Sequence, residues 1–201
     1  MSISGIVVAA GSGRRFGAMK QHVELDGVPV WQWARRALIE GGVDEVVVVG
    51  PVEGGIPGGL RRRDSVAAGL GEISDQATFV LVHDAARPLA SPDLVDRVIK
   101  RLQEGDVDGV VPVVPVRDTL KEVSGQDIVR TVDRLNLVTA QTPQGFRVST
   151  LARAHASITA DASDDASMVE AAGGTVAWVA GDPGNLKLTF PEDLKVLEAL
   201  L

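Results

Sequence analysis

Short runs of β-branched and aliphatic residues punctuate the chain at positions 3–9, 45–49, 79–83, 109–114 and 175–179. Several are apolar at consecutive positions, so neither face of the strand is set aside for water. That is the pattern of a parallel sheet covered by helices on both sides. Helical patterns fill the gaps. Residues 29–40 alternate apolar and basic side chains at helical spacing and stop at Gly41-Gly42, a C-terminal signal. Ser91-Pro92-Asp93 supplies an N-cap, a first-turn proline and an early acid, and the helix it opens is expected to run to about Glu104. Ser163-Asp164-Asp165 caps a further helix that ends at Gly173-Gly174, and Pro191-Glu192-Asp193 starts the last one. Strand–helix alternation of this kind predicts an α/β fold with a Rossmann-like doubly wound, mostly parallel sheet.

One stretch breaks the rhythm. Residues 118–123 and 128–133 are short strand-like segments flanking the turn residues Ser124-Gly125-Gln126-Asp127. A lone hairpin has little surface of its own to bury. The arm, about residues 116–137, is therefore expected to project and to pair with another subunit; a hairpin folded back on its own domain is the alternative.

The 201 residues suit one domain with a full core, expected to span 1–201. The absence of cysteine excludes disulfides and thiolate metal sites and fits a reducing compartment, so a cytoplasmic location is expected. No apolar run approaches the length needed to cross a bilayer. The net charge of −7 argues against a nucleic-acid surface, where clustered positive charge supplies most of the affinity. An acidic protein that binds an anion must concentrate its basic residues locally, and Arg14, Arg15, Lys20 and the 61–63 arginine run are the places to look.

In open α/β sheets ligands sit beyond the carboxyl ends of the strands, near the first crossover. Ala9-Ala10-Gly11-Ser12-Gly13-Arg14-Arg15-Phe16-Gly17 lies there. Small residues let backbone N–H groups approach an anion closely, Arg14 or Arg15 adds a bidentate grip, and Lys20 a point charge. The spacing of a P-loop, G-x-x-x-x-G-K-[ST], is missing. A dinucleotide fingerprint would place its third glycine one residue earlier than Gly17 and an acid where Gly50-Pro51 stands. A loop wrapping a triphosphate accounts for the charge; a plain glycine-rich turn with solvated arginines is the bland reading.

Asp84 follows the 79–83 strand on the ligand side, placed to touch a ribose hydroxyl or a metal-bound water; a brace to Arg87 is the structural alternative. His83 reads as a packing residue, and Arg61 and Arg62 as a solvated face. Asp64 or Ser65 is expected to cap a short helix at 66–70, where a cap hydroxyl and free N–H groups suit a polar base edge. Thr119 and Arg134 lie where the hairpin's two strands meet the domain and can converge on a phosphomonoester. Lys187, in the strand-like segment 185–189, delivers a second cation or is an ordinary edge lysine.

Taken together, Ala9-Ala10-Gly11-Ser12-Gly13-x-Arg15, Lys20-Gln21, Arg63-Asp64-Ser65-Val66, Val82-His83-Asp84-Ala85-Ala86-Arg87-Pro88, Pro115-Val116-Arg117-Asp118-Thr119, Thr131-Val132-Asp133-Arg134, Thr142-Pro143-Gln144 and Asn185-x-Lys187 resemble the 2-C-methyl-D-erythritol 4-phosphate cytidylyltransferase family of the non-mevalonate isoprenoid route. The likeness runs over nearly the whole chain, with eight motifs in order. It implies a nucleotide-diphospho-sugar transferase type of sheet and transfer of a cytidylyl group from CTP to methylerythritol phosphate, with pyrophosphate released. It implies that Ala10, Gly11, Gly59 and Ser65 hold the nucleotide, with Ser12, Gly13 and Ala85 beside them. Asp84 would contact ribose and help place Mg²⁺, which is held mainly by CTP phosphates. Arg15 and Lys20 would steady the α-phosphate, with Lys187 as a further catalytic cation, while Thr119, Arg134, Arg87 and Thr142 would hold the acceptor phosphate. The family implies a homodimer with an exchanged arm. Three departures mark this chain: a short stretch between Arg15 and Lys20, Met19 where proline commonly precedes the lysine, and Leu60 where an acid is common. Ribitol 5-phosphate as acceptor is the nearest alternative; an NAD(P)-dependent oxidoreductase and a catalytically silent nucleotide-binding regulator belong to other classes.

Overall fold

A computed structural model describes residues 1–11, 13, 16 and 19–201. The expectations for Ser12, Arg14, Arg15 and Gly17 therefore lie outside the described residues.

Strand β1 (Ser2–Val8) lies between β4 (Glu45–Val49) and β5 (Ala77–Asp84) and is parallel to both. Further along the sheet stand β6 (Gly109–Pro115) and β11 (Val176–Ala180), parallel to each other, giving the order β11-β6-β10-β5-β1-β4. The five apolar runs read from sequence are these five parallel strands, displaced at their ends by two residues or fewer.

The sixth place in that order was not anticipated. β10 (Gln144–Arg147) wedges antiparallel between β5 and β6. Its four residues, Gln-Gly-Phe-Arg, carry no apolar alternation, yet Phe146 is fully buried and Gly145 faces α3 (Pro92–Gln103). A Cβ on Gly145 would come within 2.6 Å of Leu102 and 2.7 Å of Val98, so a glycine lets the helix close over the strand. β9 (Val138–Ala140) precedes it along β6, antiparallel at Val113–Pro115. Residues 141–143 interrupt what would otherwise be one long strand, and they do so beside the carboxyl end of β5.

Successive strand residues serve opposite layers. Ile3, Val7, Phe79, Leu81 and Val110 pack with α1 (Val30–Glu40) and α3 through Trp31, Ala34, Leu38, Val95 and Leu102. Ile6, Val80, Val82, Val111 and Phe146 pack the other way, against Val66 of α2 (Arg62–Leu70), Leu151 of α4 (Val148–Ser157) and Met168 of α5 (Asp165–Ala171). Each fully buried aliphatic side chain contributes about 1.5–3 kcal/mol, which is why the strands are apolar on both faces. A third cluster joins Leu25, Val30, Leu188 and Leu197, so α6 (Asp193–Glu198) closes the carboxyl edge. Small pieces complete this edge: a 3-10 turn at Lys20–His22 and the two-residue pair β2 (Glu24–Leu25) and β3 (Val28–Pro29).

The helix signals at 91–93 hold: the Ser91 hydroxyl accepts the N–H of Leu94 at 3.2 Å, with Pro92 in the first turn. At α5 it is Asp164 that caps, accepting the Ser167 N–H at 3.0 Å. Two expectations are corrected. α2 starts four residues earlier than 66–70, at Arg62, with the Asp64 carboxylate accepting the Arg61 N–H at 3.1 Å; Ser65 lies inside the helix. Segment 185–189 joins no ladder; its Leu188 N–H donates to Ala86 O at 2.8 Å.

The hairpin β7 (Leu120–Ser124) and β8 (Asp127–Val132) forms a sheet of its own. Among the described residues no helix is long and apolar enough to cross a membrane.

Candidate active site

Beyond the carboxyl ends of β1 and β5 opens a cleft of about 480 Å³, lined by Ala10, Gly11, Gly13, Lys20, Gly59, Ser65, Asp84, Ala85 and Lys187. All nine were singled out from sequence as nucleotide-binding or catalytic, and the fold brings them together from positions as far apart as 10 and 187. Arg62 and Leu60 line it as well.

The backbone on the α2 side is held close. Ser65 is 1% exposed; its hydroxyl accepts the Gly59 N–H at 3.1 Å and donates to Arg61 O at 3.3 Å. A Cβ on Gly58 would stand 2.4 Å from the Ala10 Cβ, so only glycine lets this loop reach the first loop. The two loops together present main-chain groups and small side chains, a surface suited to the flat faces and phosphates of a nucleotide.

Charge enters from three elements. Asp84, at the end of β5, accepts Lys187 Nζ on Oδ2 at 2.6 Å and Arg62 Nε on Oδ1 at 3.1 Å. Burial pushes its carboxyl up, but Arg62 and Lys187 overcome this and hold it well below the usual carboxylate range. Arg62 in turn donates from Nη1 to Asp165 Oδ2 at 2.6 Å, and Asp165 Oδ1 lies 3.3 Å from His155 Nε2. Against the cost of burial, Asp84 and Asp165 raise the Arg62 guanidinium above its ordinary value. The expectation of a solvated face holds for Arg61 and is corrected for Arg62. Only 26% of the Arg62 side chain is exposed and it bridges two buried carboxylates, while Arg61 pairs with Asp64 at 2.8 Å and Asp161 at 3.1 Å. The partners Asp84 and Asp165 lie 22 and 103 residues away in sequence, beyond any local signal.

Lys20 donates to Leu188 O at 2.9 Å and stands 5.9 Å from the Phe16 ring centroid, so it leans on segment 185–189, which carries Lys187. The Arg87 N–H donates to Asp84 O at 3.0 Å across the turn, but its side chain does not pair with Asp84. It gives its Nη1 to Asn185 O at 2.7 Å and its Nη2 to Ala140 O at 3.3 Å, and burial lowers its pKa against the opposing pull of Asp84.

Beneath Asp84, the Thr142 hydroxyl accepts the Asp84 N–H at 3.0 Å and lies 2.9 Å from His83 Nδ1. His83 is fully buried, which pushes its imidazole down to about 4; it packs, as its sequence position suggested. A neighbouring cavity of about 210 Å³ is lined by Arg87, Thr142 and Gln144 and shares Arg62, Asp84 and Lys187 with the cleft. Thr119 and Arg134 line neither space. Both are exposed at the root of the hairpin, where Arg134 Nη1 donates to Val116 O at 3.4 Å.

Known proteins resemble this chain in sequence and fold. Residues 3–201 match the family model described as IspD, 2-C-methyl-D-erythritol 4-phosphate cytidylyltransferase. The chain belongs to that family. A Saccharopolyspora erythraea protein of this name is 41% identical over the whole of both chains. A Rubrobacter xylanophilus protein of the same name is 39% identical over 98% of this chain and 93% of its own. Among solved structures, the 2-C-methyl-D-erythritol 4-phosphate cytidylyltransferase of Thermus thermophilus superposes with a TM-score of 0.84 at 36% identity, covering 97% of this chain and 96% of that one. The mixed, mostly parallel sheet is thus that of the nucleotide-diphospho-sugar transferases, as the resemblance implied.

Proposed function

We propose that this chain transfers a cytidylyl group from CTP to 2-C-methyl-D-erythritol 4-phosphate, releasing pyrophosphate. A phosphate oxygen of the acceptor attacks the α-phosphorus of CTP in line; the new P–O bond forms as the bond to the β-phosphate bridging oxygen breaks, and the electron pair leaves with pyrophosphate. Attacker and electrophile are both anionic, so the protein's work is neutralisation and alignment rather than covalent catalysis. The observation that carries the reading is the convergence of Lys20, Lys187 and Arg62 on one cleft that is otherwise lined largely by glycine and alanine, with Asp84 as its carboxylate.

In this reading Ala10, Gly11, Gly13, Gly59, Ser65 and Ala85 hold the nucleotide. Arg15 and Lys20 stabilise charge at the α-phosphate, and Lys187 faces the acceptor. Asp84 is the one carboxylate lining the cleft, and among the described residues no three His, Cys, Asp or Glu cluster to cage a metal. That donor set fits a divalent cation, magnesium by preference, held mainly by phosphate oxygens with Asp84 near it. Such an ion would neutralise phosphate charge.

The arm supports a homodimer. Val123, Ile128, Val129, Leu135 and Val138 are each more than half exposed on it or at its root, a large apolar surface for so small an element. Exchanged between two chains, it would bring Thr119 and Arg134 to the partner's acceptor pocket, beside Arg87 and Thr142.

Pyrophosphate release measured with CTP and either methylerythritol phosphate or ribitol 5-phosphate tests the reading. Turnover with the first acceptor is expected; turnover confined to the second, or to neither, overturns it.

A further inference from the structure

The charges around Asp84 form a row that continues away from the cleft. Lys187, Asp84, Arg62, Asp165 and His155 follow one another at 2.6, 3.1, 2.6 and 3.3 Å. The two cations that meet Asp84 are held very differently. The Lys187 side chain is 43% exposed, and Asp84 is its ion-pair partner. Arg62 is anchored on its far side by Asp165, whose side chain is 0% exposed and whose second oxygen faces His155. Asp165 opens α5, where the helix N-terminus favours its negative charge.

All three arginines of the 61–63 run reach this same α4–α5 region. Arg61 reaches Asp161 at the surface, while Arg63, whose side chain is 11% exposed, reaches Ala160 O and His155 O. Of the three, Arg62 is the one that lines both the nucleotide cleft and the neighbouring cavity, with its Nη2 buried and unpartnered. Were Lys187 to leave Asp84, a buried carboxylate would lose one counter-ion, a loss that is tolerable only if the other stays in place.

We propose that Asp165 is a positioning residue: it fixes Arg62 as the standing counter-ion of Asp84, so that Lys187 can transfer from Asp84 to a substrate phosphate during turnover. The inference rests on the cytidylyl-transfer reading above. Asp165 touches no substrate in it and acts through Arg62.

The test compares wild type, Asp165→Asn, Arg62→Met and the double variant. Pyrophosphate release gives kcat and KM, equilibrium titration gives CTP affinity, and thermal melting gives the folded fraction. Asp165→Asn is expected to lower kcat at least ~10-fold while KM and Kd for CTP stay within ~threefold, the signature of a displaced charge rather than a lost binding contact. The double variant is expected to turn over like Arg62→Met alone, because Asp165 then has nothing left to position. Wild-type kcat in folded Asp165→Asn overturns the proposal, as do losses that multiply in the double variant. If Asp165→Asn does not fold because Arg62 is left with a single partner, the double variant, which lacks both charges, decides. Turnover equal to Arg62→Met supports the proposal, and lower turnover or failure to fold overturns it. A wild-type chain that releases no pyrophosphate would overturn the functional reading rather than this one.

Discussion

The floor of the cleft and the arm are built on opposite principles, although Gln141 alone separates Ala140 at the end of β9 from Thr142 under Asp84. At the floor, His83, Asp84, Gln141, Thr142, Gln144 and Asn185 are polar and buried, and each is tied to a group on another element. In the arm, residues 121–131 are exposed throughout and its ladder joins β7 only to β8. A buried polar group without a partner costs about 1–3 kcal/mol, so a floor of this kind has one arrangement. A hairpin with both faces exposed has no such constraint, and its apolar side chains have nothing in their own chain to meet. One region is finished within the chain; the other leaves its apolar side chains exposed.

The largest effect belongs to the cleft: Lys20→Ala and Arg15→Ala are each expected to lower turnover by at least ~10², since one preorganised cation at a phosphoryl centre is worth roughly 3–4 kcal/mol. Steady-state kinetics giving near-normal turnover in both would sink the assignment of the cleft.

The floor should also carry a pH signature that the arm lacks. An unfolded His83 takes its proton near its ordinary 6.5, the folded one only near 4. Between those values the unfolded state binds more protons, so this contribution is whole above pH 6.5 and drains away as the pH falls through about 4. It amounts to on the order of 3 kcal/mol. Urea unfolding at stepped pH should show this slope in the wild type and a flatter one in His83→Gln; equal slopes would mean that His83 is not the group responsible.

Arg134→Ala is expected to raise KM for the acceptor by ~10-fold and to leave KM for CTP nearly unchanged, the loss of one exposed charge-assisted contact. Mixing it with Lys20→Ala protein should restore activity above either variant alone, because exchange of arms recombines one intact site. No recovery in demonstrated heterodimers would return the arm to its own chain.

The smallest effect on the fold is expected at the arm's surface. Ile128→Asp should abolish association in sedimentation experiments while moving the melting temperature of the separated chain by only about 2 °C, as surface substitutions do. A large drop would show that the hairpin is packed after all.

Much of this was legible in the sequence because it is local. Strands buried on both faces announce themselves as unbroken apolar runs, and Ser91-Pro92-Asp93 is a cap within three residues. Ala10, Gly11, Asp84 and Ala85 could be placed together because they lie at strand ends, where an α/β sheet gathers its ligand groups regardless of sequence distance, whereas Gly59 came from the family resemblance alone. What escaped was set by tertiary partners. β10 is a strand because β5 and β6 leave it a slot, and α4 follows it at once with Arg147 at its start and no side-chain cap to mark the boundary. Arg62 reads like its neighbours Arg61 and Arg63; only the placing of Asp84 and Asp165 distinguishes it. Leu188 makes one main-chain bond to Ala86 where a strand would make a ladder.

The roots of the arm have a further consequence. Pro115 and Val138 face each other across the β6–β9 ladder, so the chain departs from the sheet and returns to it at a single point. An excursion closed in this way asks almost nothing of the sheet: doubling the length of such a loop adds only about 0.6 kcal/mol of closure entropy. The hairpin between Thr119 and Arg134 can therefore change in length or sequence at little cost to the sheet, because the ladder at its base insulates the floor of the cleft from it.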